Sequence, residues 1–334
     1  MQPNKKLVKI EDNIAQIKLL ISELVLQPRR NAIKWSVITK QTPNIKIGYP
    51  GQHLASLITG MFGERTGARG NDLADGSEVK SCSRIDQLDL CKDCKSPVAR
   101  SEINCSSCNS TNILRKDDSK WLFSIKNEND LNVLTKEVKR VLLIMGDYPN
   151  FAKGDFNTLR FQSFEIWTNS SRNYRFQEIM TNYYRNIYLA HKQKNVEKTP
   201  APKNFWPYSY QFYICNPVQV FNCIVKDANS KPKIEILHYI DPKQDRSKLP
   251  SVIMPTVILS DLEIELIFKN SKNTEIARMI KPKFKSKLSK IKNLSIKEKR
   301  EALVGVDEIL RSHLPLRDTD KISSAKNQYS RRIN

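Results

Sequence analysis

Apolar residues at Ile10, Ile14, Ile17, Leu20, Ile21, Leu24 and Val25 recur every three or four positions, which predicts a helix with one apolar face. Pro28 with Arg29 and Arg30 is expected to stop it, and a second helix is expected over 31–40, ahead of Thr42-Pro43. Pro50 suits the first position of a third helix, carried through His53, Leu54, Leu57, Ile58 and Met61 to Gly63. The texture then changes. Gly67, Gly70 and Gly76 interrupt a region where Leu73 and Val79 suggest two short strands. In 119–125, Trp121, Phe123 and Ile125 alternate against Lys120, Leu122 and Ser124, which predicts a strand. Leu131, Leu134, Val138, Val141 and Leu142 predict a helix over 128–145, and 159–167 reads as another strand. The order is helix, strand, strand, strand, helix, strand, with a polar cysteine-rich insertion at 86–116 that lacks a core of its own.

Beyond this lies an expected helix at 171–192, rich in Tyr and Arg, and an aromatic, proline-containing stretch at 200–213. Strands are expected at 211–215, 219–225 and 233–240, with Asp227-Ala228-Asn229-Ser230 as the hairpin turn between the last two. No internal repeat is present. The expected organisation is an α/β core at 49–168 carrying the insertion 86–116, preceded by a helical region at 1–48. A helical and β region for recognition or dimerisation follows at 169–270, and a basic region at 271–334. No apolar run approaches the roughly 18 residues of a membrane helix, and residues 1–6 do not open a signal peptide. A cytoplasmic protein is expected.

Charge adds the first functional hint. The 334 residues carry 56 Lys and Arg against 35 Asp and Glu, a net of +21. An excess of that size attracts polyanions, nucleic acid foremost. It is concentrated in 272–300, where eleven basic residues face two acidic ones, a run suited to phosphates without sequence preference. The helix carrying Arg172, Arg175, Tyr183, Tyr184, Arg185 and Tyr188 can present base- or phosphate-reading side chains, or simply pack its aromatics and solvate its arginines. No G-x4-G-K-[ST] sequence occurs, which argues against ATP-driven translocation. The four histidines (53, 191, 238, 313) form no metal or triad spacing.

Seven cysteines are present, and four of them form Cys91-x2-Cys94 and Cys105-x2-Cys108. Two such knuckles supply four thiolates to one Zn²⁺ in a closed tetrahedral site, which is structural because no ligand position stays open. Metal energy would then order a segment too polar to fold alone. The ribbon is expected either to contact DNA through Lys92, Lys95, Arg100, Arg115 and Lys116, or to act as a structural clip or dimer contact. Cys82, Cys215 and Cys223 read as ordinary thiols.

The other constellation is Asp72-Leu73-Ala74-Asp75-Gly76-Ser77-Glu78-Val79-Lys80. On a strand, Glu78 and Lys80 project from one face, and Gly76 can turn Asp72 back toward them. Two carboxylates and an amine in one cluster suit Mg²⁺, which takes oxygen ligands and phosphate oxygens. Asp75 is the alternative first ligand, and Gln52 or Glu64 can approach from the preceding helix. A Glu-x-Lys triplet alone is common in charged proteins; the order of elements around it is what singles it out.

That order, with Asp72 ahead of a strand bearing Glu78 and Lys80, resembles the PD-(D/E)XK nuclease core, a restriction-endonuclease-like helix, mixed central sheet and helix. The resemblance implies that Asp72 and Glu78 hold catalytic Mg²⁺ and that Lys80 assists the attacking water. The short interval from Asp72 to Glu78 is similar to that of MutH-like nicking enzymes, although no Pro precedes Asp72. Gly67-Ala68-Arg69-Gly70-Asn71-Asp72-Leu73, Glu78-Val79-Lys80-Ser81-Cys82, the cysteine insertion and Pro200-Ala201-Pro202-Lys203-Asn204-Phe205-Trp206-Pro207 together resemble type II restriction endonucleases of the MamI type. The likeness spans roughly residues 50–250. It implies cleavage of double-stranded DNA at a specific, palindromic site by a homodimer, with a cognate methyltransferase encoded nearby. Arg69, Lys92, Lys95, Arg172, Arg175 and Lys203 are the expected DNA contacts. The alternatives are a repair nuclease that nicks one strand and a non-catalytic zinc-ribbon protein binding nucleic acid.

Overall fold

All eight residues of Arg140–Asp147 are buried, and this run is the second strand of the main sheet. The structure, a computed structural model, describes residues 1–44, 48–65 and 72–317. The chain opens with α1 (Asn13–Ile21) and α2 (Gln27–Thr39), joined without a break by a wide turn over Ser22–Leu26. Pro28 therefore does not stop the helix as expected. The Gln27 N–H bonds Ser22 O, five residues back, so the missing Pro28 N–H falls at the start of a new helical register. Helix α3 (Gly48–Thr59) follows, then β1 (Ser77–Ser83). The insertion contributes β2 (Asp89–Cys91), β3 (Pro97–Val98) and β4 (Ile113–Leu114), a small sheet in the order β3-β2-β4. After β5 (Trp121–Phe123) and α4 (Glu128–Asn132) comes β6, the buried run 140–147.

The expected helix over 128–145 is thus half wrong. Helix α4 runs on through one wide turn, Val133–Glu137, and ends where Val138 turns extended. Val138, Val141, Leu142 and Met145 fit a helical face, but a strand buried on both faces is apolar throughout and shows the same positions. Its alternation is real: Val141, Leu143 and Met145 enter one core and Leu142 and Ile144 the other. Likewise the strand near Leu73 is reduced to isolated bridges from Leu73 to Gly63 and Ser77. Strand β5 stands outside the main sheet and pairs with residues 203–205.

The rest of the chain adds β7 (Leu159–Ile166), α5 (Tyr174–Asn182), α6 (Leu189–Lys194), β8 (Lys203–Phe205), α7 (Tyr210–Ile214), β9 (Val218–Lys226) and β10 (Lys233–Tyr239). The stretch expected as a strand at 211–215 is helix α7, started by Ser209, whose side chain accepts the Phe212 N–H. All five α7 residues are buried, so no polar face marked the period. Helices α8 (Asp261–Asn270), α9 (Asn273–Arg278), α10 (Ile296–Ala302) and α11 (Glu308–Arg311) close the chain.

The main sheet has the order β1-β6-β7-β9-β10. β1 and β6 are parallel, with Glu78 opposite Val141 and Lys80 opposite Leu143, and the other pairs are antiparallel. Helices α1 and α3 cover one face through Ile17, Ile21, Leu54 and Ile58. On the other face Trp121, Phe176, Phe205, Phe212 and residues of α8–α11 form the larger core. The sheet draws strands from both sides of the boundary expected at 168. The basic run 272–300 is built into that larger core through Ile276, Phe284 and Ile291. Several of its charges pair with acids: Arg278 with Asp307, Lys299 with Glu265, Lys283 with Glu301 and Arg300 with Asp261.

Candidate active site and metal centre

A tight turn delivers the first carboxylate. Gly76 N–H bonds Leu73 O at 2.9 Å, Asp72 N–H bonds Ser77 O at 3.0 Å, and Gly76 adopts φ +79°, a left-handed conformation open to glycine. The turn lays Asp72 beside the start of β1, where its Oδ2 accepts the Val79 N–H at 2.7 Å. Gln52 on α3 reaches Asp72 Oδ1 at 3.4 Å, as anticipated, and the Glu64 N–H bonds Asp72 O at 3.0 Å. Behind β1, α3 approaches through Gly51, where a Cβ would lie 2.1 Å from Ser81 Oγ.

Glu78 and Lys80 leave β1 on the face opposite Val79 and Ser81, with Glu78 Oε1 accepting from Lys80 Nζ. Lys80 Nζ also lies 5.9 Å from the Phe123 ring centroid. Both side chains line an open pocket of about 310 Å³, whose other walls include Phe123, Ser124, Lys126 and Asp130. Sequence reading missed the last three. The alternation at 119–125 placed Ser124 on an outward face, but only the crossover from β1 to β6 turns that face toward Glu78.

Asp72 is half-buried, and its carboxyl is pushed above the usual carboxylate range. Burial is the main cause, opposed by the Val79 N–H; the neighbouring Glu78 charge adds to the rise and Lys80 counters it. A carboxylate that is costly to ionise alone, close to a second carboxylate, gains from a cation. Asp75 has a different role. Its Oδ2 accepts from Arg140 at 2.8 Å and its Oδ1 from the Ser77 N–H at 3.1 Å. The fully buried Arg140 continues to Ser77 Oγ and Glu165, tying the turn to β6 and β7.

The four cysteines of the insertion converge, their Sγ atoms all within 4.8 Å of one another. Cys91 and Cys108 sulfurs are 3.6 Å apart and Cys94 and Cys105 sulfurs 3.5 Å. A disulfide needs ~2.05 Å, whereas thiolates on a tetrahedral Zn²⁺ sit about 3.8 Å apart, from Zn–S bonds of about 2.3 Å. The two knuckles repeat one another. Lys95 and Asn109, each following the second cysteine of a pair, take positive φ and return their N–H to Cys91 O and Cys105 O. Asp93 joins the two turns by accepting from Ser110 and Asn112.

The expected DNA contacts are scattered. Arg69 lies outside the described residues. Lys92 and Lys95 are exposed on the first knuckle. Arg100 is instead buried, in a two-bond pair with Asp89 at 2.7 Å and against Phe151, Tyr148 and Phe156. Arg115 joins it on Asp89 at 2.8 Å, a pairing within the insertion, and both guanidinium groups lie over the Phe156 ring, which ties the ribbon to the body. Lys203 is buried, with Nζ on Gln211 at 2.6 Å. Arg172 binds Glu308 and the Leu249 carbonyl, and Arg175 binds Glu178 and the Leu314 carbonyl.

A family model described as MamI restriction endonuclease matches residues 34–257, about two thirds of the chain, including Asp72, Glu78, Lys80 and the four clustered cysteines. Over 56 residues the chain is 41% identical to the type II restriction enzyme MamI of Microbacterium ammoniaphilum, a stretch covering 17% of this chain and 18% of that protein. No solved structure matches.

Proposed function

The chain belongs to the MamI restriction endonuclease family, and from that premise we propose that it hydrolyses phosphodiester bonds of double-stranded DNA at a specific site, using Mg²⁺. The observation that carries the reading is the approach of Asp72 to β1 at Val79, between the two residues, Glu78 and Lys80, that face the open pocket. Asp72 and Glu78 are the ion's protein ligands. Bound there, Mg²⁺ would polarise the scissile phosphate and acidify a water.

The chain's own groups do the rest. The Val79 N–H fixes the rotamer of Asp72, so its remaining oxygen lone pairs point in a set direction. Lys80 rests its ammonium on Glu78; with that carboxylate engaged by an ion, the ammonium would be available to orient the water or balance charge on the phosphate. The fully buried Arg140 keeps the 72–77 turn from moving when the ion is gained or lost.

The second metal is structural Zn²⁺ on Cys91, Cys94, Cys105 and Cys108, which leave no open ligand position. Lys92 and Lys95 then stand on a rigid knuckle as DNA contacts. A palindromic target and a homodimer belong to the same reading, since two-fold protein symmetry mirrors two-fold site symmetry. The test is incubation of the purified protein with genomic DNA in Mg²⁺ and in EDTA, followed by sequencing of the new ends. Discrete fragments sharing one end sequence are expected in Mg²⁺ alone; intact DNA with both, or cleavage retained by Glu78→Ala, would overturn it.

A further inference from the structure

The pocket holding Glu78 and Lys80 contains a second cation. Lys126 lines the same space, on the segment that leads from β5 into α4. The two lysines differ in their engagements. Lys80 is tied to Glu78, whereas the Lys126 ammonium has no ion-pair or hydrogen-bond partner among the described residues.

Its backbone is nevertheless held firmly. Lys126 N–H donates to Asp130 Oδ2 at 2.9 Å, and Asp130 N–H donates to Asn127 Oδ1 at 2.8 Å, a reciprocal clasp at the start of α4. Phe123 and Ile125, each 1% exposed, anchor the preceding residues in the larger core. An exposed ammonium without an ion-pair partner among the described residues, on fixed backbone and lining one open pocket with a carboxylate–lysine pair, is a fitting receptor for an anion. Lysine suits phosphate as a compact point charge with rotatable donors.

We propose that Lys126 is a phosphate-anchoring residue of this site, binding a backbone phosphate of the DNA strand held in the pocket. The assignment rests on the nuclease reading above and extends it: Glu78 and Asp72 serve the ion at the scissile phosphate, and Lys126 holds the strand against it.

Three variants test it: Lys126→Ala, Lys126→Arg, and Glu78→Ala as the reference for the underlying reading. Binding of a random-sequence duplex in EDTA is measured against salt concentration, and cleavage of genomic DNA is measured in Mg²⁺. Lys126→Ala should lower the slope of log affinity against log salt by about one, the share of a single phosphate contact. It should slow cleavage about tenfold or more, the cost of one charge-assisted hydrogen bond, with an unchanged thermal midpoint. Lys126→Arg should restore the slope. Wild-type slope and wild-type cleavage in Lys126→Ala would overturn the assignment while leaving the nuclease reading intact, provided Glu78→Ala is dead. No cleavage by the wild type would instead remove the nuclease reading, and the Lys126 assignment with it.

Discussion

Replacing Gly51 with alanine puts one methyl group between α3 and β1, directly behind the strand that carries Glu78 and Lys80. The new Cβ would lie 2.1 Å from Ser81 Oγ, 2.9 Å from Ser81 Cβ and 3.7 Å from Ile144 Cγ2. Turning the Ser81 hydroxyl away relieves the first contact but not the second, because Cβ is fixed to the strand. Carbon atoms pack at about 3.5–4.0 Å, so helix and strand must part by several tenths of an ångström. Two effects oppose each other. Alanine in place of glycine favours a helix interior by about 1 kcal/mol, while overpacking a close-packed core costs about 1–3 kcal/mol. Overpacking should win, leaving a net loss of up to about 2 kcal/mol. Activity should suffer more than stability, since a shift of about 1 Å in reacting groups can cost on the order of a hundredfold in rate. Urea midpoints and cleavage rates of Gly51→Ala, Ser81→Gly and the double variant form a closed cycle. Ser81→Gly removes both obstructing atoms, so the double variant should be more stable than the sum of the two losses by about 1 kcal/mol or more. Strict additivity, or a Gly51→Ala protein as stable and active as the wild type, would refute the packing of α3 on β1.

Four further outcomes are expected. Glu78→Ala should abolish Mg²⁺-dependent cleavage yet keep affinity for duplex DNA within a few-fold, read by gel shift. Cys105→Ser should lower bound zinc, measured by metal analysis, and expose the 86–116 insertion to protease; full zinc content would contradict the four-sulfur site. Arg100→Ala should cost about 3 kcal/mol or somewhat less, since it strips a buried carboxylate of a two-bond partner while Arg115 and the Lys116 N–H remain; hydrogen exchange would then quicken in 86–116 ahead of the sheet. Finally, because folding raises the Asp72 carboxyl from 3.8, the folded protein holds that proton to higher pH than the unfolded chain. Metal-free stability should therefore decline as pH rises from the unfolded toward the folded pKa, and Asp72→Asn should flatten that decline. Mg²⁺ binding should release protons through the same window, detectable by titration in buffers of different ionisation enthalpy.

Residues at fixed short spacing were legible from the sequence alone. Two C-x2-C pairs bring four sulfurs together because each turn is local, and only the meeting of the two knuckles is tertiary. Glu78 and Lys80 share a face because strand geometry alternates, and Gly76 marked the turn because it alone there tolerates a positive φ. The α/β class and the helices before residue 195 were likewise readable from period, whereas the mixed sheet was what the family resemblance implied and α8–α11 were not foreseen. What sequence could not decide were runs without a polar face. Residues 140–147 and 210–214 are buried all round, so period does not tell helix from strand; pairing in the sheet made the first a strand, and the Ser209 cap started the second as a helix. Pro28 failed as a stop because a wide turn upstream moved the missing donor to a harmless place. The roles of charged residues were also tertiary decisions. Asp72 and Asp75 are both carboxylates within reach of Glu78 in sequence, yet Arg140, 65 residues on, binds Asp75, while Asp72 takes the Val79 N–H. Arg100 and Lys203 looked like DNA contacts by charge, but burial against Asp89 and Gln211 spends their hydrogen bonds inside. Lys126 had no signal at all until the crossover turned its strand end toward Glu78.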